Sequence, residues 1–498
     1  MSKRVYFNDL TLRDGHQSLA ATRMTTEQCM RVLPIIKNAG YNMFELWGGA
    51  TLDSAIRFTR DNPWDRLEGF KKELGGGQKI ISLLRGQNLF GYSSYPDDLL
   101  ISFIRQSIES GSENMRIFDA LNDIRNLRMS IVATKAYGGK TEAAICYTVS
   151  PVHTTQYFVD YAKKLEAEGV DRIAIKDMAG LLEPKVASVL FKALKSELHV
   201  PVVLHTHATT GVSIVNEALA MKYGIDAMDT CITPFAGGSS HSPIEVMAVV
   251  AEQMGFDPGL DKDAIEKAQM VLRDIFTELK DTIKQYGKYW VKPVHFADVP
   301  RNKVDKMVEA IMKDPEDLDT AITVSREIMS DLGYPPYNDQ IFVSQIPGGM
   351  LSNLRNQLKG LGVPDDKFDD VMKEVPLVRA DVGYVPLVTP TSQIVDTQAA
   401  FNVMTGDRYS FTSNEFRDLV RGAYGKVPGK IDPEFQDKIL AGGGDIVKYR
   451  PASYLMPVLE DDYSSFPFIH DRKDLLLHLL FNPAADEFLK LRDEKKTK

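Results

Sequence analysis

Eight short apolar runs, each followed by a stretch of helical period, predict an α/β protein. The expected architecture is a (β/α)8 TIM barrel over residues 1–300, a mostly helical domain over 301–470 and a charged tail over 471–498. Strands separated by helices imply parallel pairing through right-handed crossovers, and eight such units are enough to close a ring. An open doubly wound sheet would show fewer units and a glycine-rich phosphate turn after the first strand, and neither is seen. Beyond residue 300 the alternation stops and helical periodicity takes over, broken by irregular stretches at 344–354 and 385–398.

The runs are VYFNDL (5–10), MFELWG (43–48), KIISLLRG (79–86), NMRIFDA (114–120), EAAICYTVS (142–150), DRIAIKD (171–177), PVVLHTH (201–207) and DAMDTCI (226–232). Between the first two, Thr25 and Gln28 have capping-box spacing. The glycines at 75–77 precede the third run and read as a loop. After the fifth run, Tyr157, Phe158, Tyr161 and Leu165 share one helical face and Gly169 supplies the stop.

Composition narrows the function. The 498 residues are 44% hydrophobic and 26% charged with a net charge of -9, and the basic residues are dispersed, which argues against nucleic acid as a partner. Cys29, Cys146 and Cys231 are too scattered for a disulfide framework or a CxxC site, so a reducing compartment is expected. With no signal-like or membrane-spanning stretch, the expected location is cytoplasmic, without direct membrane insertion.

In such a barrel the chemistry belongs at the C-terminal ends of the strands. The polar residues there are Arg13 and Asp14, Arg85, Asp119, Lys176 and Asp177, and His205 with His207. Positions i and i+2 of a strand face the same way, so both imidazoles can reach one point in the mouth. Two histidines and a carboxylate suit zinc, cobalt or manganese, and Asp14 is the natural third ligand. Lys176 follows an apolar RIAI, and burial leaves a nucleophilic amine. It could form a Schiff base, form a carbamate that ligates the metal, or pair with Asp177. Arg85 could grip a carboxylate through two hydrogen bonds, or pair with Asp119 across the rim. Tyr92 is either a contact in the next loop or its anchor, and Gln17 is either a donor to a substrate oxygen or a helix cap.

The stretches LTLRDGHQSLAATRM, ELWGGATLDSAIRF, LLRGQNLFGYSSYPDD, RIFDALND, ICYTVSPVHT, IKDMAGLL, HTHATTG, PGGMLSNL and LVTPTSQIV occur in this order. Together they resemble the carboxyltransferase component of biotin-dependent enzymes that act on pyruvate and oxaloacetate. That family includes pyruvate carboxylase, the oxaloacetate decarboxylase alpha subunit and the transcarboxylase 5S subunit. The resemblance spans about residues 5–470. It implies a funnel-like helical domain and a divalent metal on Asp14, His205, His207 and a carbamylated Lys176. It further implies that Arg85 and Gln17 orient the substrate and that Tyr92 and Asp53 receive the biotin ring, with Arg13 and Asp119 on the same substrate side. Ser352 stands where many members have a threonine that moves a proton between biotin and pyruvate.

The implied reaction carries a carboxyl group between biotin and pyruvate through a metal-stabilised enolate. No AMKM biotinylation sequence occurs, and AMKYG at 220–224 lies in a barrel helix, so biotin is expected on a separate carrier subunit. No ATP-grasp segment is seen. A homodimer is expected, and a 5S-like subunit is favoured over a decarboxylase alpha subunit or the carboxyltransferase subunit of a two-subunit pyruvate carboxylase. The metal-dependent lyase and Claisen synthase barrels share LRDG and HxH. They carry asparagine where this chain has Ala208, and lack the KDMAG lysine and LLRGQN. A Schiff-base aldolase using Lys176 and a non-catalytic scaffold are the remaining readings.

Overall fold

The computed structural model describes residues 3–76, 80–285, 291–334, 336–337, 341–342, 360, 364–441 and 443–496. Eight parallel strands close a barrel in chain order. They are β1 (Phe7–Asp9), β2 (Met43–Gly48), β3 (Ile80–Leu84), β4 (Asn114–Phe118), β5 (Lys140–Cys146), β6 (Arg172–Asp177), β7 (Val202–Thr206) and β8 (Ala227–Thr230). The ring shuts where Phe7, Asn8 and Asp9 pair with Met228, Asp229 and Thr230. Each of the eight apolar runs overlaps one strand. Most lose residues at the C-terminal end, where the chain turns out to build the mouth.

The helices outside the ring are α1 (Thr26–Ile36), α2 (Pro63–Leu74), α3 (Asp97–Glu109), α4 (Arg128–Ala136), α5 (Thr155–Ala167), α6 (Pro184–Glu197), α7 (Ser213–Tyr223) and α8 (Ile244–Gln253). The Thr25 and Gln28 capping box forms as expected. Helix α5 is capped by Thr154, and Gly169 follows it at φ +77°, a conformation that β-carbon crowding disfavours in other residues. Alternation decides the two strand faces: on β4, Met115 and Ile117 join the core under the helices, while Phe118 faces a smaller inner layer with Leu83, Ala144, Ala174 and Val203. Deeper inside lies a charged floor. Arg116, fully buried, meets Glu45, Glu142 and Asp229 at 2.5 Å each.

After α9 (Lys262–Glu278), the barrel core does not stop at residue 300. Helices α10 (Arg301–Met312) and α11 (Leu318–Asp331) contribute Val304, Met307, Ile311, Ile328 and Met329 to it. A separate core forms among α12 (Phe368–Asp381), α13 (Thr391–Thr405), α14 (Asn414–Val420) and α15 (Pro433–Leu440), around Val375, Val378, Val395, Phe416 and Leu419. The expected charged tail holds two helices, α16 (Arg472–Phe481) and α17 (Ala484–Lys496). Leu476, Leu477, Phe481 and Leu489 return to the barrel core. Charged residues flanking the DLLLHLLF run masked this apolar anchor in the sequence.

Among the described residues, no helix is long and apolar enough to cross a membrane.

Candidate active site

A cleft of about 900 Å³ opens at the C-terminal end of the barrel. Its lining brings together Arg13, Asp14, Gln17, Asp53, Arg85, Tyr92, Lys176 and His207. His205 lies just beneath, fully buried. Asp119 lines a small adjoining pocket that shares Arg85. Ser352 lies outside the described residues.

Strand geometry places the central groups. Lys176 and His205 are register partners on β6 and β7, and the lysine Nζ reaches His205 Nε2 at 2.7 Å. The next residue on β6 faces away. The Asp177 carboxylate accepts from the backbone of Leu181 and Leu182 and from Thr206 Oγ1, so no Lys176–Asp177 pair forms. Strand β1 gives way to one wide helical turn, Thr11–Gly15, that delivers Arg13 and Asp14 to the mouth.

A third imidazole, which sequence reasoning missed, completes the group. His241, fully buried in the loop after β8, joins Asp14, His205 and His207, and one ligand atom from each lies within 4.8 Å of the others. The only advance signal was a histidine beyond the eighth strand, in a loop without periodicity. Every imidazole is held through Nδ1: His205 by the Asp229 carboxylate at 2.8 Å, His207 by the Ser239 carbonyl at 2.7 Å and His241 by the Thr206 carbonyl at 3.0 Å. Those partners accept, so each Nδ1 donates and each Nε2 is turned toward Asp14. All three Nε2 atoms face Asp14 Oδ2, at 3.4, 3.6 and 3.1 Å for His205, His207 and His241. Three imidazole nitrogens converging on a carboxylate fit a divalent cation. A second group, Glu45, His205 and Asp229, is already neutralised by Arg116.

Electrostatics agree with ligand roles. Burial pushes His207 down to about 3 and His205 well below the usual imidazole range, so both are neutral. Burial alone would raise Asp14, but the Arg13 guanidinium beside it outweighs that and holds the carboxyl well below the usual range. Burial pushes Lys176 down to about 8, so about a tenth of it is free amine at pH 7, far more than for an exposed lysine.

Around this group, Arg13 pairs with Asp14 at 2.8 Å and with Glu45, and donates to Gln17 Oε1 at 3.3 Å. Arg85 donates to the Gly91 carbonyl at 2.5 Å rather than pairing with Asp119, and its Nε meets no partner among the described residues. Asp119 is occupied locally, accepting from the backbone of Leu121 and Asp123 and from Asn126 Nδ2. Asp53 pairs with Arg57 at 2.5 Å on the cleft wall, and Tyr92 is 62% exposed at the mouth.

The opposite wall was not foreseen. It consists of Val388, Thr389 and Gln393 at the start of α13, and Leu480, Phe481 and Asn482 at the end of α16. Thr389 Oγ1 is a hydroxyl facing the same cleft as Lys176, and it accepts from Gln393 Nε2 at 3.3 Å.

Comparison with known proteins matches this arrangement. Residues 341–498 match a conserved carboxylase domain and residues 116–272 match the HMGL-like family. A pyruvate carboxylase subunit of Methanocaldococcus jannaschii is 38% identical over 97% of this chain and 77% of its own length. The methylmalonyl-CoA carboxyltransferase 5S subunit of Propionibacterium freudenreichii is 38% identical over 99% of this chain and 88% of its own. The carboxyl transferase domain of Rhizobium etli pyruvate carboxylase, solved with pyruvate and biocytin, superimposes with a TM-score of 0.80 at 27% identity, covering 99% of this chain and 78% of that one. On this agreement of barrel, cleft and sequence, the chain belongs to the family of carboxyltransferases that includes the Methanocaldococcus pyruvate carboxylase subunit and the methylmalonyl-CoA carboxyltransferase 5S subunit.

Proposed function

We propose that this protein moves a carboxyl group between biotin, presented by a separate carrier protein, and pyruvate or oxaloacetate. One observation carries the reading: cation-binding donors, a free-edged arginine and a hydroxyl from the helical domain share one cleft. Its volume of about 900 Å³ suits a small keto acid together with a biotin head group.

The cation, when bound, supplies Lewis acidity for the charge that develops on the keto oxygen. Arg85 holds the substrate carboxylate through its unpartnered edge. Gln17, anchored through Oε1 by Arg13 and the Ala50 backbone, keeps its amide N–H for the keto oxygen. Asp53 and Tyr92 flank the entry taken by the biotin ring. Thr389 Oγ1 moves the proton between the substrate methyl carbon and the ureido nitrogen, the role the sequence reading gave to Ser352. The free amine of Lys176 can take up carbon dioxide as a carbamate beside the cation site.

Within this proposal the 5S-type arrangement stays the favoured reading; the 5S subunit is 38% identical to this chain, as is the Methanocaldococcus pyruvate carboxylase subunit. The expected cytoplasmic setting is kept as part of this proposal, supported by three cysteines that form no disulfide. The test is oxaloacetate decarboxylation by the purified protein with and without free biotin. Biotin-dependent release of pyruvate is expected, and turnover indifferent to biotin would sink the reading.

A further inference from the structure

We propose that His241 is a fourth side-chain donor to the cation, so that Asp14, His205, His207 and His241 hold it before Lys176 carries any carbamate. This rests on the metal reading above.

The Nδ1 contact of His241 is to the Thr206 carbonyl, which can only accept, so Nδ1 donates there and the ring turns Nε2 into the cluster. Nε2 lies 3.1 Å from Asp14 Oδ2, an oxygen that already accepts from Arg13 at 2.8 Å. Either a ring proton or a shared cation bridges two such atoms, and the convergence of the His205 and His207 Nε2 atoms on the same carboxylate oxygen points to the cation. Spacing agrees: donors on a tetrahedral ion with bonds of about 2.0 to 2.1 Å stand about 3.3 Å apart, and the three imidazoles lie 3.1 to 3.6 Å from Asp14 Oδ2. The ring is also pinned, with centroids 4.4 Å from both His205 and His207 and a backbone bridge between His207 and His241. Lys176, by contrast, reaches the group through an amine that donates to His205 Nε2. It becomes a ligand only after modification, so a site built on four unmodified side chains loads without carbon dioxide.

The experiment uses metal-stripped protein in carbon-dioxide-free buffer titrated with cobalt(II), read by visible absorption and by counting imidazoles in X-ray absorption spectra. Wild type and Lys176→Met are expected to bind with similar affinity and to show three imidazoles. His241→Leu should bind at least about tenfold more weakly and show two. Two imidazoles in the wild type, or binding that vanishes with Lys176→Met, overturns the proposal, and this result does not depend on His241→Leu folding. So does a His241→Leu variant that melts normally and binds unchanged, as it would if His241 were an imidazolium paired with Asp14. Binding that appears only when bicarbonate is added overturns this proposal alone, whereas no binding in either buffer overturns the parent metal reading.

Discussion

Lys176 and Asp177 are adjacent in sequence yet belong to different chemistry, because a strand sends neighbouring side chains to opposite faces. The buried amine gains nothing in stability from a charge, so Lys176→Met should leave the melting temperature unchanged or raise it while biotin-dependent decarboxylation falls at least about a hundredfold. A calorimetric drop of several degrees would show that the lysine is structural. Thr389→Val keeps the shape of its side chain and removes the hydroxyl. It should slow turnover by about 10² to 10⁴ with little change in melting, and a parallel Ser352→Ala variant measures the role the sequence first suggested. Asp396 supplies a pH test. Its Oδ1 is buried without a partner, and burial pushes the carboxyl from 3.8 up to about 8. The folded form therefore keeps a proton that the unfolded chain releases near pH 4, and the residue withdraws stability as pH rises from about 4 to about 8. Asp396→Asn is expected to flatten that slope and to melt higher than wild type at pH 9. Identical melting profiles across this range would refute the assignment. His205, His207 and Asp14 were legible because strand periodicity and rim position constrain them. His241 and Thr389 were not, since an irregular loop and the start of a distant helix carry no periodic signal.

The loops that carry the donors are themselves braced by an element that the sequence marks only as another helix. Helix α11 and the residues after it lay Tyr334 and Tyr337 against the loops following β8 and β7. A β-carbon at Gly237 would stand 2.6 Å from the Tyr334 ring, and one at Gly211 would stand 2.4 Å from the Tyr337 ring. Both glycines have positive φ, +77° and +76°, so closeness and backbone conformation each demand the missing side chain. Tyr334 also hydrogen-bonds Thr233 at 2.7 Å, and Arg326 donates to the Thr210 carbonyl at 2.8 Å. Gly237→Ala is expected to cost about 1 to 3 kcal/mol and to lower metal retention by shifting the His241 loop, as read by denaturant melts and elemental analysis. A variant with wild-type metal content and stability would show that the loop yields freely. Strands and barrel helices were readable because alternation and capping act over a few residues. These braces join positions about a hundred apart, and one sequence does not expose such pairings.

At the level of the whole molecule, the cleft is a joint between two bodies with separate cores. The barrel supplies the candidate cation donors and Arg85, while the helical domain supplies Thr389. The returning segment locks the β3 loop. Arg450 pairs with Asp97 at 2.5 Å, Phe481 stacks on Phe90 at 6.1 Å, and Tyr95 donates to the Leu480 carbonyl at 3.3 Å. Phe481→Ala should cost about 3 to 5 kcal/mol and raise KM for free biotin more than for oxaloacetate, since it loosens the wall beside Tyr92. Equal rises in both constants would contradict that division of labour. The barrel was visible in the sequence because its rule is local and repeated eight times, whereas the return of residues 472–496 was hidden behind their charge. The Tyr95 to Leu480 bond spans 385 residues. During translation, the β3 loop must therefore wait for residues 472–496 to leave the ribosome before it gains these contacts. A chain cut short before residue 472 would lack the Leu480, Phe481 and Asn482 wall of the cleft, so the cleft is the last part of this fold to be completed.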